Sequence, residues 1–563
     1  MKVVIIGGVA GGATAAARIR RLDEKAEIVV FERSGFISYA NCGLPYYIGG
    51  EIEDKNELTL QTPESFWKRF RVKMNVRHEV TAIHPESKTV TVKNLVNGTV
   101  FTESYDKLLL SPGAKPIKPA FEGVDSDKIF TLRTVEDTLK IKEFTVDRQP
   151  ETAVVVGGGF IGIEVAENLR GLGIGVTLIE AAEQLMAPFD ADMASFIHAE
   201  VRKNGVNLLL GRMVEGFADT NCGIDVRLKD SQVIHTDMAV MAIGVAPETA
   251  LAKDAGLKLG IKGSIVVNDR METSVPDIYA VGDAVQIKNF VTCADSLISL
   301  AGPANKQGRI AADNICGGDS RYAGGQGSSV IKVFEMTAAA TGINEKTAKT
   351  LGIDYDTVIL SPMSHAGYYP GGRVMTMKVL FEKGAYRLLG AQIVGFDGVD
   401  KRIDVLATAI RCGMKAYELA ELDLAYAPPY SSAKDPVNMA GYIIENIRNG
   451  VVKQWHYADD ETLPRDGSVT LLDARTPSEF GAGHPEGFIN IPVDELRERI
   501  GELDSNKPVY VICQSGLRSY IASRILAGNG FEAYNFAGGY RFYAAVRNDK
   551  ALNKKSTPCG MDN

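Results

Sequence analysis

Runs of apolar residues that end in glycine-rich turns open the chain and recur further along it. Residues 2–6 are predicted to form a short buried strand, residues 7–12 a tight turn and residues 13–22 a helix, and a second strand at 27–31 ends at Glu32. In such a βαβ unit the N–H groups at the helix N-terminus hold a pyrophosphate, and the acid accepts a hydrogen bond from a ribose hydroxyl. The predicted cofactor-binding residues of this unit are Gly7, Gly12 and Glu32. The strict GxGxxG pattern would place its middle glycine at position 9, where this chain has Val9.

The second occurrence carries all the glycines of the pattern. A predicted strand at 152–156 leads to the turn, and a helix at 163–172 and a strand at 175–179 follow. The GxGxxG spacing and the acid after the second strand identify Gly157, Gly159, Gly162 and Glu180 as cofactor-binding residues. A chance recurrence is improbable, so the sequence predicts two dinucleotide sites. Glu180 would accept from the ribose hydroxyls and repel a 2′-phosphate, and the next two residues are alanines, so NADH is expected rather than NADPH.

Composition narrows the classes of protein that these elements can belong to. At 563 residues and 45% hydrophobic, the chain is expected to form three or four globular units. Its net charge of −8 argues against a nucleic-acid partner. Neither a secretory signal nor an apolar run of membrane-spanning length is visible, so a cytoplasmic protein without a membrane partner is expected. The seven cysteines form no CxxC pair, so neither a metal site nor a disulfide framework is predicted.

A third segment, residues 273–284, indicates a flavin. It is predicted to be a strand that runs into a turn at Gly282 and Asp283 and then opens a helical stretch, so that Asp283 can hydrogen-bond a ribityl hydroxyl. This run resembles the flavin motif of the two-dinucleotide-binding flavoprotein reductases, and so does the segment 109–114 with Gly113. The resemblance implies that the N-terminal fold holds FAD and the inserted second fold holds the nicotinamide cofactor.

The candidate redox residue is Cys42, which follows the first βαβ unit by a few residues and is therefore expected near the FAD. A reductase with an internal redox disulfide would have a second cysteine about five residues later, but this chain has Tyr47. A single thiol can cycle between thiolate and a sulfenic acid, a mixed disulfide or a persulfide. The alternative interpretation is a buried packing thiol.

Ser38, Asn41 and Cys42 resemble the single-cysteine motif of the coenzyme A-disulfide reductase family, which belongs with NADH oxidases and peroxidases to one branch of its superfamily. Residues 365–371 and 426–435 resemble the dimerisation domain of that family. The resemblance implies a homodimer in which Tyr368 and Tyr426 of one subunit reach the cysteine of the other. A phenol there could donate a proton to a thiolate leaving group; the alternative is aromatic packing at a dimer interface.

The resemblance also implies that coenzyme A is a substrate moiety or bound ligand, with Arg21, Ser38 and Asn41 as its binding residues. Arg18 lies one helical turn from Arg21 and could assist, although both arginines could equally be solvated charges on a helix face. Disulfide-reducing members of the family can carry a basic residue where this chain has Phe70, which leaves recognition of the 3′-phosphate open.

The C-terminal part has its own thiol. A predicted strand at 509–512 leads to the loop Cys513 to Arg518 and a helix, and this arrangement forms an anion cradle that can hold a transferred sulfur as a persulfide. The loop resembles the rhodanese active loop in length, which makes Cys513 and Arg518 the catalytic candidates there. The alternative is a degenerate, inactive domain. Cys559 could relay sulfur, but a disordered terminus is the simpler interpretation.

The predicted fold is of the α/β class: two Rossmann-like dinucleotide-binding domains, an α+β dimerisation domain and a C-terminal rhodanese-like α/β domain. The expected boundaries are FAD-binding at 1–118 and 245–325, NAD(H)-binding at 119–244, dimerisation at 326–445, linker at 446–464, rhodanese at 465–550 and tail at 551–563.

The expected function is that of a reductase–rhodanese fusion. NADH reduces FAD, a sulfane sulfur delivered free or through Cys513 reaches Cys42, and hydrosulfide and a thiol such as coenzyme A or glutathione are released. The small-molecule substrates are persulfides, polysulfides and coenzyme A disulfide. Two alternatives remain at this point: an NADH oxidase or peroxidase with a Cys42 sulfenic acid, and a redox sensor or sulfur carrier without turnover.

Overall fold

The computed structural model describes residues 1–555, of Lys555 only the backbone, and Cys559 therefore lies outside the described residues. The chain divides into two compact units. The first comprises residues 1–183 and 205–327, and the second comprises residues 184–204 and the chain from 328 onward.

The first unit contains a five-stranded parallel sheet built around the N-terminal strand. In spatial order the strands are Ile278–Ala280, Lys107–Leu110, Lys2–Ile6, Glu27–Glu32 and Lys73–Val76. Residues 3–6 are all buried, as expected for a parallel sheet that is covered on both faces. The strand before the glycine turn is central, so its carboxyl end opens at the crevice where such sheets bind their ligands.

A second five-stranded parallel sheet repeats this arrangement. In spatial order its strands are Asn207–Leu210, Gly175–Glu180, Thr152–Val156, Met238–Met241 and Ile129–Thr131. Again the strand that leads into the glycine turn lies in the middle. The two sheets thus place their glycine turns at equivalent positions.

Smaller elements complete the first unit. Its remaining strands form two three-stranded antiparallel sheets, one antiparallel pair and one mixed sheet: His78–His84, Thr89–Asn94 and Val100–Ser104; Val214–Thr220, Gly223–Leu228 and Val233–Thr236; Ala114–Pro116 and Val245–Pro247; Ile265–Val266, Val285–Lys288 and Asp295–Ser296. Its α-helices are Ala10–Leu22, Leu44–Gly49, Pro63–Phe70, Val135–Arg148, Phe160–Gly171, Ala250–Asp254 and Ala301–Ile315. Its short 3-10 helices are Asn41–Gly43, Lys55–Leu58, Ile261–Gly263 and Gly282–Ala284.

The second unit contains a five-stranded antiparallel sheet with the spatial order Ser329–Val333, Met336–Gly342, Leu388–Gly395, Thr376–Glu382 and Tyr355–Leu360. Its α-helices are Ala191–Lys203, Glu345–Thr350, Val399–Arg411, Pro436–Arg448, Pro477–Gly481, Leu496–Arg499, Leu517–Gly528 and Gly539–Lys555. Its 3-10 helices are Ala416–Glu421, Tyr457–Asp459 and Ile500–Glu502.

The helix Ala191–Lys203 belongs to this second unit, although it lies inside the range predicted for the NAD(H)-binding domain. A buried polar network holds it there. Lys378 is 2% exposed and its ammonium lies 3.0 Å from a carboxylate oxygen of Asp190 and 2.8 Å from one of Asp192. Asp190 also accepts a hydrogen bond from the Gln392 amide. Because buried charges must be paired, these contacts tie the helix to the antiparallel sheet.

The C-terminal part of this unit is built on a five-stranded parallel sheet with the spatial order Lys453–Trp455, Ala533–Phe536, Val509–Ile512, Thr470–Asp473 and Ile489–Asn490. Its edge strand Lys453–Trp455 falls within the segment predicted as a linker. The indole of Trp455 is 1% exposed, lies 4.4 Å from the Phe536 ring centroid and donates to the Val511 carbonyl. One aromatic anchor in a polar stretch produces no periodicity, so the pattern did not reveal this strand.

Candidate active sites

The first glycine turn is shaped by contacts that exclude side chains. Gly7 has φ +98°, and a Cβ there would lie 2.1 Å from the Ser111 carbonyl oxygen. A Cβ on Gly12 would lie 1.9 Å from the Gly7 carbonyl oxygen. Val9 is the N-cap of the following helix, with φ −104° and no side-chain cap. A side chain is therefore tolerated at position 9, and the N–H groups of the helix N-terminus stay available for a phosphate.

The second turn has the same construction with one difference. Gly157 has φ +111° and Gly162 would place a Cβ 1.8 Å from the Gly157 carbonyl oxygen, so both are required by the backbone. Gly159 has nothing within 4 Å of its hypothetical Cβ. The protein therefore leaves space at position 159, where the pattern expects the backbone to approach a pyrophosphate.

The two acids are held in matching geometry. Glu32 accepts hydrogen bonds from the Gly8 and Ser34 N–H groups, each at 2.8 Å. Glu180 accepts from the Gly158 N–H at 2.6 Å and from the Ala182 N–H at 2.8 Å. Burial raises the pKa of Glu32. Each carboxylate thus closes its own glycine turn, at the position where a ribose would reach it.

The segments predicted to flank the flavin meet at the first sheet. Gly113 has φ +71° and follows the strand Lys107–Leu110, and Gly282 follows the neighbouring strand Ile278–Ala280. The prediction of a helical stretch after Asp283 is wrong. A three-residue 3-10 turn, Gly282–Ala284, leads directly into the strand Val285–Lys288, whose alternating burial is that of a half-buried strand.

Cys42 lies in the 3-10 turn Asn41–Gly43 directly before the helix Leu44–Gly49, and its side chain is exposed. Ser38, with φ +44°, donates its N–H to the Gly8 carbonyl at 2.9 Å. This bond ties the Cys42 segment to the first glycine turn. The turn is the one predicted to hold FAD, and the proximity of Cys42 to that cofactor stays a prediction.

Arg133 connects the Cys42 turn to the Gly-Asp turn and was not anticipated from the sequence. Its guanidinium donates to the Asp283 carboxylate at 2.7 Å. With its amide oriented so that both polar atoms are satisfied, Asn41 donates to the Arg133 carbonyl and accepts from the Arg133 guanidinium, each at 3.0 Å. These contacts join residues that are far apart in sequence, so no local pattern marks Arg133.

The charges around Cys42 act on its thiol in opposite directions. Partial burial is the main cause that raises the pKa of Cys42; the carboxylates of Glu164 and Asp283 raise it further, and Arg133 lowers it. Glu164, on the helix after the second glycine turn, has a pKa raised to about 7 by burial and by Glu167. Arg133 is thus the positive charge that favours the thiolate at this site.

Tyr368 and Tyr426 come together in the second unit. Their hydroxyls are 2.5 Å apart, and the rings are 76% and 45% exposed. This hydrogen bond raises the pKa of Tyr426. Fully buried Arg402 supports both segments, because it donates to the Ser364 carbonyl before Tyr368 and to the Asp435 carboxylate after Tyr426. The phenols are therefore paired on a rigid base while their rings remain accessible.

The arginines of the first helix differ in their surroundings. Arg18 forms an ion pair with Asp313 at 2.7 Å. Arg21, at the C-terminal end of the helix, is exposed, and no protein partner contacts its guanidinium among the described residues. Phe70 packs against the hydrophobic core. Of the two arginines considered for coenzyme A, Arg21 is thus the one available to a ligand.

Cys513 follows the strand Val509–Ile512 and is 1% exposed. Its sulfur accepts hydrogen bonds from the Gly516 N–H and the Ser519 hydroxyl, both at 3.2 Å. The Cys513 sulfur thus lies in a cradle of two hydrogen-bond donors. Ser519 was not singled out from the sequence, although its place directly after Arg518 in the loop was visible.

Arg518 forms an ion pair with a carboxylate. Its guanidinium donates to both oxygens of Glu479, at 2.6 and 2.7 Å. This pairing is the main cause that lowers the pKa of Glu479 to about 2. The positive charge at the helix start is therefore largely balanced by Glu479, a residue that the loop pattern did not indicate.

Comparisons with known proteins agree with this architecture. Residues 1–308 match the pyridine nucleotide-disulphide oxidoreductase family, residues 328–436 match the dimerisation domain of that family, and residues 460–545 match the rhodanese-like domain. The chain belongs to the pyridine nucleotide-disulphide oxidoreductases and carries a rhodanese-like domain. The predicted fold class and family resemblance are confirmed, and the protein is an FAD- and pyridine nucleotide-dependent oxidoreductase.

Three relatives show how far the similarity extends. Coenzyme A disulfide reductase of Staphylococcus aureus is 39% identical over 78% of this chain and 99% of its own. The crystal structure of reduced CoADR-RHD from Bacillus anthracis is 48% identical, with a TM-score of 0.95, over 97% of this chain and 98% of that one. A NAD-dependent persulfide reductase from A. fulgidus is 38% identical, with a TM-score of 0.91, over 96% and 100%.

Within residues 1–555, no helix is both long and apolar enough to cross a membrane.

Proposed function

We propose that this protein is an NADH-dependent reductase of persulfides and polysulfides that also accepts coenzyme A disulfide and releases hydrosulfide and a thiol. The observation that carries the proposal is the combination of two thiol sites on one chain. Cys42 is exposed and tied to the first glycine turn, whereas Cys513 is buried in a cradle of hydrogen-bond donors. The names of the relatives, a coenzyme A disulfide reductase and a persulfide reductase, support the same substrate classes.

The residues around Cys42 suit attack on a sulfur–sulfur bond. Cys42 attacks the persulfide as the thiolate. Burial and nearby carboxylates raise the pKa of its thiol, and Arg133 is the group that opposes this rise. FAD, when bound, supplies the two electrons that NADH delivers. The overall reaction is RSSH + NADH + H⁺ → RSH + H₂S + NAD⁺, which balances in atoms and electrons. At the second glycine turn, the open space beside Gly159 supports a dinucleotide pyrophosphate there.

The leaving sulfur requires a proton, and the tyrosine pair is the proposed source. We assign this role to Tyr368 and Tyr426 acting on Cys42 of the other subunit in a homodimer. The proposal is supported by the exposure of both rings and by the Tyr368–Tyr426 hydrogen bond, which lets one phenol stabilise the other as it donates. The match to a dimerisation domain supports the dimer.

Coenzyme A is the proposed carrier of the thiol. Arg21 is the candidate cation for its phosphates because it has no competing protein partner among the described residues. Asn41 directly precedes Cys42 in the same 3-10 turn, and Ser38 lies on the segment that leads into this turn. Glu180 supports NADH as the electron donor, since its carboxylate would repel a 2′-phosphate.

The rhodanese-like domain is proposed to load sulfur onto Cys513 and to pass it to small thiols. The donors to the Cys513 sulfur support a site that can hold a persulfide. Arg518 is proposed to act through its pair with Glu479, as a positioning residue of the loop. In this scheme the domain widens the range of sulfur donors by local delivery and is not part of the electron path.

The test is steady-state NADH oxidation with four acceptors: coenzyme A persulfide, polysulfide, coenzyme A disulfide and oxygen. Persulfide is expected to be the preferred acceptor. Cys42→Ser should retain FAD but lose turnover with all sulfur acceptors, because the flavin site does not depend on this thiol. Cys412→Ser, which removes another exposed thiol, is the matched control and should leave turnover unchanged. Near-normal turnover of Cys42→Ser, or oxygen as the best acceptor, would refute the proposal.

A further inference from the structure

A third thiol lies in a constellation that neither the family match nor the proposed function uses. Cys222 occupies the two-residue turn between the strands Val214–Thr220 and Gly223–Leu228, and its side chain is exposed. Its sulfur is 3.7 Å from His235 Nε2. His235 Nδ1 in turn is 2.8 Å from an Asp225 carboxylate oxygen. The three side chains are therefore linked by successive contacts as a nucleophile, a base and a group that orients the base.

The pairing of the strands explains why these three side chains are neighbours. Along Gly223–Leu228 the residues Ile224, Val226 and Leu228 are buried, so strand alternation turns Asp225 to the outer face. Asp225 and His235 are directly opposite each other on neighbouring antiparallel strands. Cross-strand partners on one face are close enough to interact, which explains the Asp225–His235 contact.

A glycine makes room for the imidazole beside the thiol. A Cβ on Gly223 would lie 3.1 Å from both Cε1 and Nε2 of His235, closer than ordinary contact. The ring therefore packs over the residue that follows Cys222. Lys128 adds a positive charge nearby, since its ammonium donates to the Gly223 carbonyl at 3.0 Å and pairs with Asp219 at 2.9 Å.

The hydrogen bonds of His235 indicate which of its ring nitrogens carries the proton. Asp225 accepts from Nδ1–H, so Nε2 is left as the acceptor that faces the Cys222 thiol. On proton transfer, the Asp225 carboxylate stabilises the resulting imidazolium. This is the logic of an activated nucleophile, in which a third group orients the base.

We propose that Cys222, His235 and Asp225 form a second reactive-thiol site, at which Cys222 attacks the sulfur–sulfur bond of small disulfides and persulfides. His235 takes the thiol proton as the Cys222 sulfur forms a new S–S bond. The old S–S bond breaks, and its electron pair leaves on the departing thiolate, which takes the proton back from His235. A disulfide leaves a mixed disulfide on Cys222, and a persulfide transfers one sulfur atom to it, so no further oxidant is required.

The experiment measures each cysteine separately in the full-length, FAD-loaded protein. Limiting iodoacetamide is applied for varied times at pH 7, and alkylation is quantified at every cysteine by peptide mass spectrometry. Cys293 and Cys412 are internal controls, because both are exposed thiols and neither forms a hydrogen bond with an imidazole within residues 1–555. Wild-type protein is compared with His235→Gln and Asp225→Asn.

Cys222 is expected to react about tenfold faster than the two control thiols. Positioned general bases typically contribute roughly 10²–10⁴-fold, but the His235 side chain is 49% exposed and the sulfur–nitrogen distance is long, so the effect should be smaller. His235→Gln should lower the alkylation rate of Cys222 to that of Cys293 and Cys412. Asp225→Asn should lower the alkylation rate of Cys222 severalfold. Near pH 10 the variants and wild type should converge, because thiols there ionise without a base.

A second assay distinguishes the two sulfur sources. Incubation with glutathione disulfide should add a glutathionyl group to Cys222, whereas glutathione persulfide should add the mass of one sulfur atom. NADH-dependent turnover should be the same in His235→Gln and wild type, so failure of this site is separable from failure of the proposed function. Equal alkylation rates for Cys222 and the controls, or no effect of either substitution, would overturn the proposal.

Discussion

Glu32 and Glu180 have matching hydrogen bonds in the two glycine turns. Substitutions at Glu180 and its neighbour therefore test whether the second turn is the one that binds NADH. Glu180→Ala combined with Ala181→Arg removes the carboxylate that is held over the second glycine turn and adds a guanidinium next to it. We expect the preference to move from NADH toward NADPH, because the repulsion of a 2′-phosphate disappears and a phosphate partner is gained.

The size of the shift follows from the hydrogen bonds involved. A hydrogen bond to a charged group contributes about 1.5–3 kcal/mol. The double variant loses one such bond to the NADH ribose and gains one to the NADPH phosphate. Together these changes shift the difference in binding free energy between the two cofactors by at least about 3 kcal/mol. The ratio of kcat/KM for NADPH over NADH should therefore rise roughly a hundredfold, since about 1.4 kcal/mol corresponds to a factor of ten.

The assay is initial-rate oxidation of each cofactor with a fixed persulfide acceptor. Glu32→Ala is the matched control, because it removes an equivalent carboxylate from the other turn. That variant should lose FAD, seen as reduced flavin absorbance of the purified protein, and the fraction that retains FAD should keep its preference for NADH. A wild-type preference for NADPH, an unchanged ratio in the double variant, or a changed ratio in Glu32→Ala would refute the assignment.

The second unit offers three further tests. Cys513→Ser should abolish cyanide-dependent thiocyanate formation and leave NADH consumption with a small persulfide largely intact; loss of both activities in a folded, FAD-loaded protein would make this thiol an obligatory relay. Ser519→Ala removes a donor to the Cys513 sulfur and should slow thiocyanate formation roughly tenfold, from a loss of about 1.5 kcal/mol; an unchanged rate would show that the hydroxyl is dispensable. Asp549 accepts from His198 at 2.8 Å and from Arg202 at 2.6 Å, and although burial raises its pKa, these two partners lower it below the ordinary value. Its stabilising effect is therefore present above about pH 4 and is lost as the pH falls through the lowered pKa. Asp549→Asn should cost about 1.5–3 kcal/mol at pH 7 in urea unfolding, the range for a hydrogen bond to a charged group, and less below pH 4; an equal cost at both pH values would contradict this account.

Much of the nucleotide-binding architecture is encoded locally and could be predicted from the sequence. The glycine turns are one example, because the positive φ of Gly7 and the close approach at Gly162 are requirements that only glycine meets. The buried parallel strands are another, since they appear as continuous apolar runs. The thiols at Cys42 and Cys513 were identified for the same reason: each is surrounded by a short, contiguous motif.

Local pattern reading was less reliable where a segment was short. The stretch after Asp283 was predicted as helical, but the alternation in Val285–Lys288 is that of a strand. The strand Lys453–Trp455 was hidden in a polar segment because its pairing partner, Ala533–Phe536, lies far along the chain. In both cases the deciding interaction is pairing with another strand, and propensity over three or four residues cannot outweigh it.

The sequence by itself determined which chemistry the chain carries, whereas the tertiary structure decided which side chains surround it. Arg133 contacts Asn41 and Asp283, and Asp225 orients His235 toward Cys222, only because the backbone brings separate strands and turns together. The contacts of Arg133 join elements remote in sequence, and those of His235 depend on the pairing of neighbouring antiparallel strands. A motif specifies the backbone that it needs locally, but the charges that tune a thiol come from wherever the fold places them.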